Sequence, residues 1–434
     1  MKRKFQVFTF IILVFSPSFY PSLLCQERPN TSAIAGYFDE IKQNTARFKQ
    51  LWDLDLYGPV LLVDPESLLT FSNMPDSAGV LKKTGDIWTG YFPKDLSVAN
   101  TAMKWNGRTW AMIMLPLPEN KKERLDLLSH ELFHRSQPTL GFVMYNPANN
   151  HLDNKDGRVL LRLELEALGQ AISSSSPVEA GRHVANALYF RNQRYKLYPD
   201  ARKNENLLEL NEGLAAYTGI AMSTRNDSEL KEYFKSRISG LTANPSFVRS
   251  FAYLTTPLYG TILSASDRYW NRKTGKDTNL TDFFTSAFNL KVPESIDSTT
   301  IRIYNSTAII AEERKREEKV NLMKEGYRKL FVDQPHLEIK LERMSLSFDP
   351  RGLMPLEGLG TVYMGLRIAD TWGILSVSGG ALLGSGWDRV TVSVPKVTGD
   401  KKVSGEGWVL ELNEGFFVEK NKSDQNYSVV KKQD

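Results

Sequence analysis

His130-Glu131-Leu132-Phe133-His134 is the segment of this 434-residue chain best suited to chemistry. Histidines four apart lie on one face of a helix, so both imidazoles reach a single ion. Neutral imidazole suits zinc, and three protein ligands plus a water is the usual catalytic arrangement. Zinc lowers the pKa of such a water towards about 7, and Glu131, beside the histidines, is placed to accept its proton. The chain has only five histidines, which makes a chance H-E-x-x-H a poor explanation. Leu125, Leu127, Leu128 and Leu132 give the same helix an apolar side to bury.

One zinc ion needs a third ligand, and no histidine follows at the spacing of the extended three-histidine motif. His151, within His151-Leu152-Asp153-Asn154, reads as a polar loop residue. Two glutamates compete for the place. Glu164 lies in the middle of the apolar face of a helix over residues 156–173, close to Leu160, Leu161 and Leu168. A buried carboxylate needs a partner or a metal; the alternative to a metal is a buried arginine such as Arg135 or Arg158. Its neighbour Glu166 faces solvent with Arg162, one turn away. Glu212 lies on a helix over 204–222, at the border of the apolar face. Ala215, Ala216 and Gly219 beside it allow close approach to the metal helix.

Asn211-Glu212-Gly213-Leu214-Ala215-Ala216-Tyr217 resembles the N-E-G-F/L-A-x-Y signature of gluzincin metallopeptidases, the clan of the alanyl and leucyl aminopeptidases. The resemblance implies zinc on His130, His134 and Glu212, with Glu131 as base; Glu164, the competing glutamate, is then expected to support a ligand from behind. It implies that the strand before the metal helix is the edge strand that meets substrate. It also implies a catalytic tyrosine downstream of the glutamate helix. Tyr259, in the segment that also holds Tyr253, is the candidate, with packing in the core as the competing reading for both. The five letters Glu209-Leu-Asn-Glu212-Gly recur as Glu411-Leu-Asn-Glu414-Gly. There they sit in an alternating pattern and read as a strand end or turn.

The elements that must position these residues fall into three blocks. Residues 33–52 look helical, and residues 59–63, 87–92 and 109–115 are β-branched and aromatic runs bounded by Gly, Pro and Asp, which predict strands. From residue 121 to about 290 the periodicity is helical, with candidates at 122–137, 156–173, 178–192, 204–222, 228–239 and 251–267. Residues 311–331 form a charged helix suited to a solvated connector. After Pro335, alternation at 337–348, 389–394 and 408–412 with glycine-rich turns predicts an antiparallel β domain. The expected fold class is α+β. A mainly helical, zincin-like catalytic domain with an N-terminal β portion spans 26–310. A helical connector follows over 311–335, and a small antiparallel β domain over 336–434.

Residues 1–25 predict an export signal: Lys2-Arg3-Lys4, then a mostly apolar stretch from Phe5 to Phe15, broken by Pro17 and Pro21. The expected location is the periplasm, the cell envelope or the exterior. Cys25 is the only cysteine, so no intramolecular disulfide forms; the leucines before it argue against its use as a lipid anchor. The formal net charge of +5 falls to 52 basic against 50 acidic residues once Lys2, Arg3 and Lys4 are removed. That near-neutral balance argues against nucleic acid as a partner, and no internal apolar run reaches the ~18 residues of a membrane span. The expected protein is an exported zinc-dependent peptidase acting on a peptide or protein substrate. A non-catalytic zinc-holding envelope protein, and a zinc hydrolase of a non-peptide bond, are the alternatives.

Overall fold

The run Val60-Leu61-Leu62-Val63 becomes strand β1 (Val60–Val63), fully buried along its length. With β2 (Leu69–Ser72), β3 (Lys82–Thr84), β4 (Ile87–Tyr91), β5 (Thr101–Trp105) and β6 (Arg108–Met114) it forms a six-stranded sheet in the order β3-β4-β2-β1-β6-β5. β1 and β6 are parallel and the other pairs antiparallel. Successive side chains point to opposite faces of a strand. Val60, Leu62, Ala111 and Ile113 therefore enter the main core, while Leu61, Val63, Trp110 and Met112 enter a smaller core on the other side. Asn106 and Gly107, both at positive φ (45° and 78°), make the tight turn from β5 to β6. The strand before the metal helix, β6, is thus interior; the hairpin adds β5 outside it, and β5 holds the edge.

The computed structural model describes residues 31–94, 96–348, 353–399 and 401–432. The expected export signal and Cys25 lie outside these residues. The described helices that follow or precede the sheet are α1 (Thr31–Arg47), α2 (Lys121–Ser136), α3 (Lys155–Ser173), α4 (Pro177–Leu197), α5 (Ala201–Leu208), α6 (Leu214–Met222), α7 (Asp227–Gly240), α8 (Ala252–Ser264), α9 (Leu280–Ala287), α10 (Ser298–Arg302) and α11 (Ser306–Arg328). None is long and apolar enough to cross a membrane. Between α5 and α6 the chain makes one π-helical turn, Glu209–Gly213, in which the Leu214 N–H donates to the Glu209 carbonyl.

Helix α2 starts where Asn120 accepts hydrogen bonds from the backbone N–H groups of Lys122 and Glu123. It packs against α1, α6, β5 and β6. Its second half is buried on every side, from Leu127 through His134. Gly219 lets α6 approach α2 closely, since a Cβ there would meet the Asp126 carbonyl oxygen at 2.6 Å. Trp52, just beyond α1, lies 4.9 Å from the Phe133 ring and donates its indole N–H to Thr218, which ties the two helices together.

The described residues divide into two compact units between Ile310 and Ala311. The second holds β7 (His336–Lys340), β8 (Ser345–Phe348), β9 (Met354–Leu356), β10 (Gly360–Tyr363), β11 (Leu366–Asp370), β12 (Gly373–Val377), β13 (Ala381–Gly384), β14 (Arg389–Ser393), β15 (Pro395–Thr398), β16 (Lys402–Gly405), β17 (Trp408–Leu412), β18 (Phe416–Lys420) and β19 (Tyr427–Lys431). They form sheets in the orders β18-β19-β7-β14-β13-β10-β9 and β15-β16-β17-β12-β11-β8. Leu337, Val390 and Val392 from one sheet share a core with Ile368, Leu375 and Leu410 from the other. The pairing is antiparallel except between β19 and β7, which run parallel, a departure from an all-antiparallel domain. The charged helix differs from a wholly solvated connector at its C-terminal end. There Tyr327 and Phe331 stack at 5.9 Å, and Phe331 packs with Leu356, Val362 and Leu382. The architecture is α+β.

Candidate metal centre

His130 and His134 point from one face of α2, with their Nε2 atoms 3.0 Å apart. The Glu212 carboxylate from the π turn meets them, with Oε2 3.3 Å from His134 Nε2 and 3.7 Å from His130 Nε2. All three side chains are buried. Their ligand atoms form the one such group of three among the described residues. A tetrahedral ion with bonds of about 2.0–2.1 Å separates its ligand atoms by about 3.3 Å. The observed triangle has that size, and two nitrogens and one carboxylate oxygen are a donor set suited to zinc. The residues present fit a metal ion.

The tautomer of His134 follows from its neighbours. Gln137 Nε2 donates to the Asn211 carbonyl at 3.0 Å. Its Oε1 must then accept from His134 Nδ1, 2.8 Å away. That turns His134 Nε2 towards Glu212 and His130, the atom free to bind an ion once it gives up its proton. The Tyr253 ring, from α8, stacks on His130 at 5.7 Å and 10°, and its hydroxyl donates to Glu212 Oε2 at 2.6 Å. Arg249 Nη2 lies 3.2 Å from the other oxygen, Oε1, with its side chain one-third exposed.

Glu131 is completely buried, and neither of its carboxylate oxygens has a hydrogen-bond partner. A buried polar atom without a partner is costly, so this pair marks a place built to meet a water or a substrate group. Burial pushes the Glu131 carboxyl up to about 8 and the His130 imidazole down to about 4. Burial also works against charge on His134, but the Glu212 carboxylate holds its imidazole up at about 9. Against the same penalty, the two histidines keep Glu212 well below the usual carboxylate range. Burial and the neighbouring Glu212 raise the Tyr253 phenol, so it stays a proton donor.

The other sequence candidates fall elsewhere. Tyr259 is fully buried and donates to Glu164 Oε1 at 3.1 Å. It follows Tyr253 by six residues, about 240° further round the helix, so the two cannot face one site; Tyr253, rather than Tyr259, lies beside the group of His130, His134 and Glu212. Glu164 lies outside the metal group and is paired with Arg191 (2.7 Å) and Arg194 (2.8 Å). These replace the arginines expected from the sequence. Arg135 instead donates to the Leu56 and Tyr57 carbonyls, and Arg158 lies over the Phe247 ring. His151 is 2.7 Å from Glu205 and is not a ligand. Gln137 and Arg249 were not legible as site residues. Their signals are spacing alone: Gln137 lies three after His134, and Arg249 four before Tyr253.

Glu205 completes a buried ion network. Burial would raise its carboxyl, but the Arg194 guanidinium and His151 bring it down to about 2. The pair's contribution to stability is complete above about 4.5, the unfolded value, and is lost as pH falls towards 2. The unfolding free-energy difference between the wild type and Glu205→Gln is expected to shrink across that window, by on the order of 3 kcal/mol in full. Urea titrations at pH 6, 4 and 3 measure it; a constant difference would exclude the pair as its source.

Comparison with protein-family models, curated proteins and solved structures gives no match for the chain.

Proposed function

We propose that the chain is an exported zinc-dependent peptidase of gluzincin type, with one zinc ion on His130, His134 and Glu212. The observation that carries this reading is Glu131: a fully buried carboxylate with two unpartnered oxygens, next to three converging ligand atoms. A purely structural metal site has no use for such a group. The order H-E-x-x-H then N-E-G-L-A-x-Y, and the signal-like residues 1–25, support the class and the location.

Zinc held there supplies a water made acidic near neutral pH, a Lewis acid for a carbonyl oxygen, and a positive charge that favours the ionised form of Glu131. Glu131 accepts the proton of the attacking water as the new C–O bond forms, and returns it to the leaving amine as the C–N bond breaks. Tyr253, kept as a phenol, donates to the oxyanion that develops on the carbonyl oxygen. Gln137 fixes the His134 ring through its Nδ1 proton. The unpaired edge of β5 offers an extended peptide a backbone to pair with.

Glu131→Gln against wild type in a broad peptide-cleavage screen tests the function. Tyr253→Phe separates its parts. Loss of one oxyanion donor typically costs about 100- to 1,000-fold in kcat, and that fall is expected with zinc retained at one equivalent. Unchanged kcat would assign Tyr253 to ligand support alone.

A further inference from the structure

Arg191 and Arg194 of α4 and Glu164, Glu205 and Glu209 have no solvent exposure at all. Arg191 grips Glu209 through two hydrogen bonds, Nη1 to Oε2 at 3.0 Å and Nη2 to Oε1 at 2.8 Å, and reaches Glu164 with Nε at 2.7 Å. Thr255 of α8 donates its hydroxyl to Glu209. Arg194 holds Glu205 with two bonds of 2.7 Å and meets Glu164 at 2.8 Å. Removing this many charges from water is expensive, and apolar packing often serves stability as well or better. The network is therefore better understood by what it holds in place.

What it holds is the π turn. Glu209 opens that turn and Glu212 lies within it. π-helical turns are rare, because they widen the helix for no gain in hydrogen bonds, and they recur at functional sites. In an α-helix, residues three apart lie about 60° apart around the axis; in a π turn the angle widens to about 110°. The wider angle lets Glu209 face Arg191 on α4 while Glu212 faces His130 and His134 on α2. Gly213 completes the turn, since a Cβ there would run into Thr256 Oγ1 of α8.

We propose that Arg191 and Glu209 are positioning residues for the metal: their buried pair, with Thr255, locks the π turn and so aims the Glu212 carboxylate at the two histidines. This rests on the metal-site reading above. It predicts that metal affinity depends on Glu209 beyond any effect on stability, whereas the neighbouring pair of Arg194 with Glu205, which holds no residue of the turn, affects stability alone.

The test uses the full chain and two readouts: zinc affinity by chelator competition, and the visible absorption of the cobalt-substituted protein, which reports the ligand set. Glu209→Gln is expected to weaken zinc by about 10- to 100-fold, the usual cost of losing support behind a ligand, and to shift the cobalt bands. Glu205→Gln, of comparable cost in unfolding, is expected to leave both within about threefold of wild type on the same scale. Thr255→Val keeps every charge, guards against a variant that fails to fold, and is expected to move both readouts in the direction of Glu209→Gln. Equal effects of Glu209→Gln and Glu205→Gln, or unaltered cobalt bands in Glu209→Gln and Thr255→Val, would overturn the proposal while leaving the site intact. Zinc held equally well by wild type and by a His130→Ala/His134→Ala variant would instead overturn the site reading, and the proposal with it.

Discussion

Glu131→Gln is expected to keep its zinc and to lose hydrolytic rate by at least about 100-fold, the low end for removal of a general base. Glu131 is none of the three converging ligands, so the amide should leave the metal stoichiometry unchanged. The amide can neither take the proton of the attacking water nor carry one to the leaving amine. The substitution preserves shape and removes charge from a fully buried position. Stability of the metal-free protein should therefore stay level or rise, because an ionised carboxyl is disfavoured there when no cation is beside it. Metal content, the unfolding midpoint and single-turnover cleavage together check this. A rate near wild type would remove Glu131 from the chemistry and leave a metal site of another use.

His130→Ala and His134→Ala are expected to abolish stoichiometric zinc binding and, with it, the stabilisation that zinc confers. A ligand that binds only the folded state stabilises it by about 4 kcal/mol when present at 1,000 times its Kd. Wild type should lose an increment of that order on chelation and regain it with zinc, and neither variant should respond. Glu212→Ala belongs with them. Glu164→Ala should behave differently, since it removes the carboxylate that bridges Arg191 and Arg194 in the interior and breaks two buried ion pairs. It is expected to cost about 3–5 kcal/mol of stability, as breaking a buried pair does, with a smaller effect on zinc than Glu212→Ala. Thermal unfolding with and without chelator distinguishes the two classes.

Much of the site was legible because it rests on local spacing. His130, Glu131 and His134 share one helical turn, and period alone brings the imidazoles together. Glu212 was reached by a motif, since nothing local decides between it and Glu164; both are buried, and the choice depends on which helix face meets α2. The arginines that claim Glu164 come from α4, a tertiary fact. The π turn was hidden because it differs from an α-helix by a single extra residue in one hydrogen-bonded ring. That turn also separates the repeated five letters. Glu209–Gly213 is helical, while Asn413-Glu414-Gly415 follows strand β17 and ends in a glycine at φ 85°. In the sheet, β2, β3 and β5 were missed because they are short or half-polar. Asn106-Gly107 was a readable hairpin signal for β5. The choice of Tyr259 over Tyr253 had no geometric basis, because both lie on α8 and which of its faces meets α2 is a tertiary fact.

The most direct measurement is anomalous diffraction at the zinc edge from crystals of the full chain grown with one equivalent of zinc. The expected result is a single strong peak about 2.0–2.2 Å from His130 Nε2, His134 Nε2 and a Glu212 carboxylate oxygen, with Glu131 close by but unbound to it. A peak on other residues, or no peak at this triangle at full zinc loading, would contradict the account.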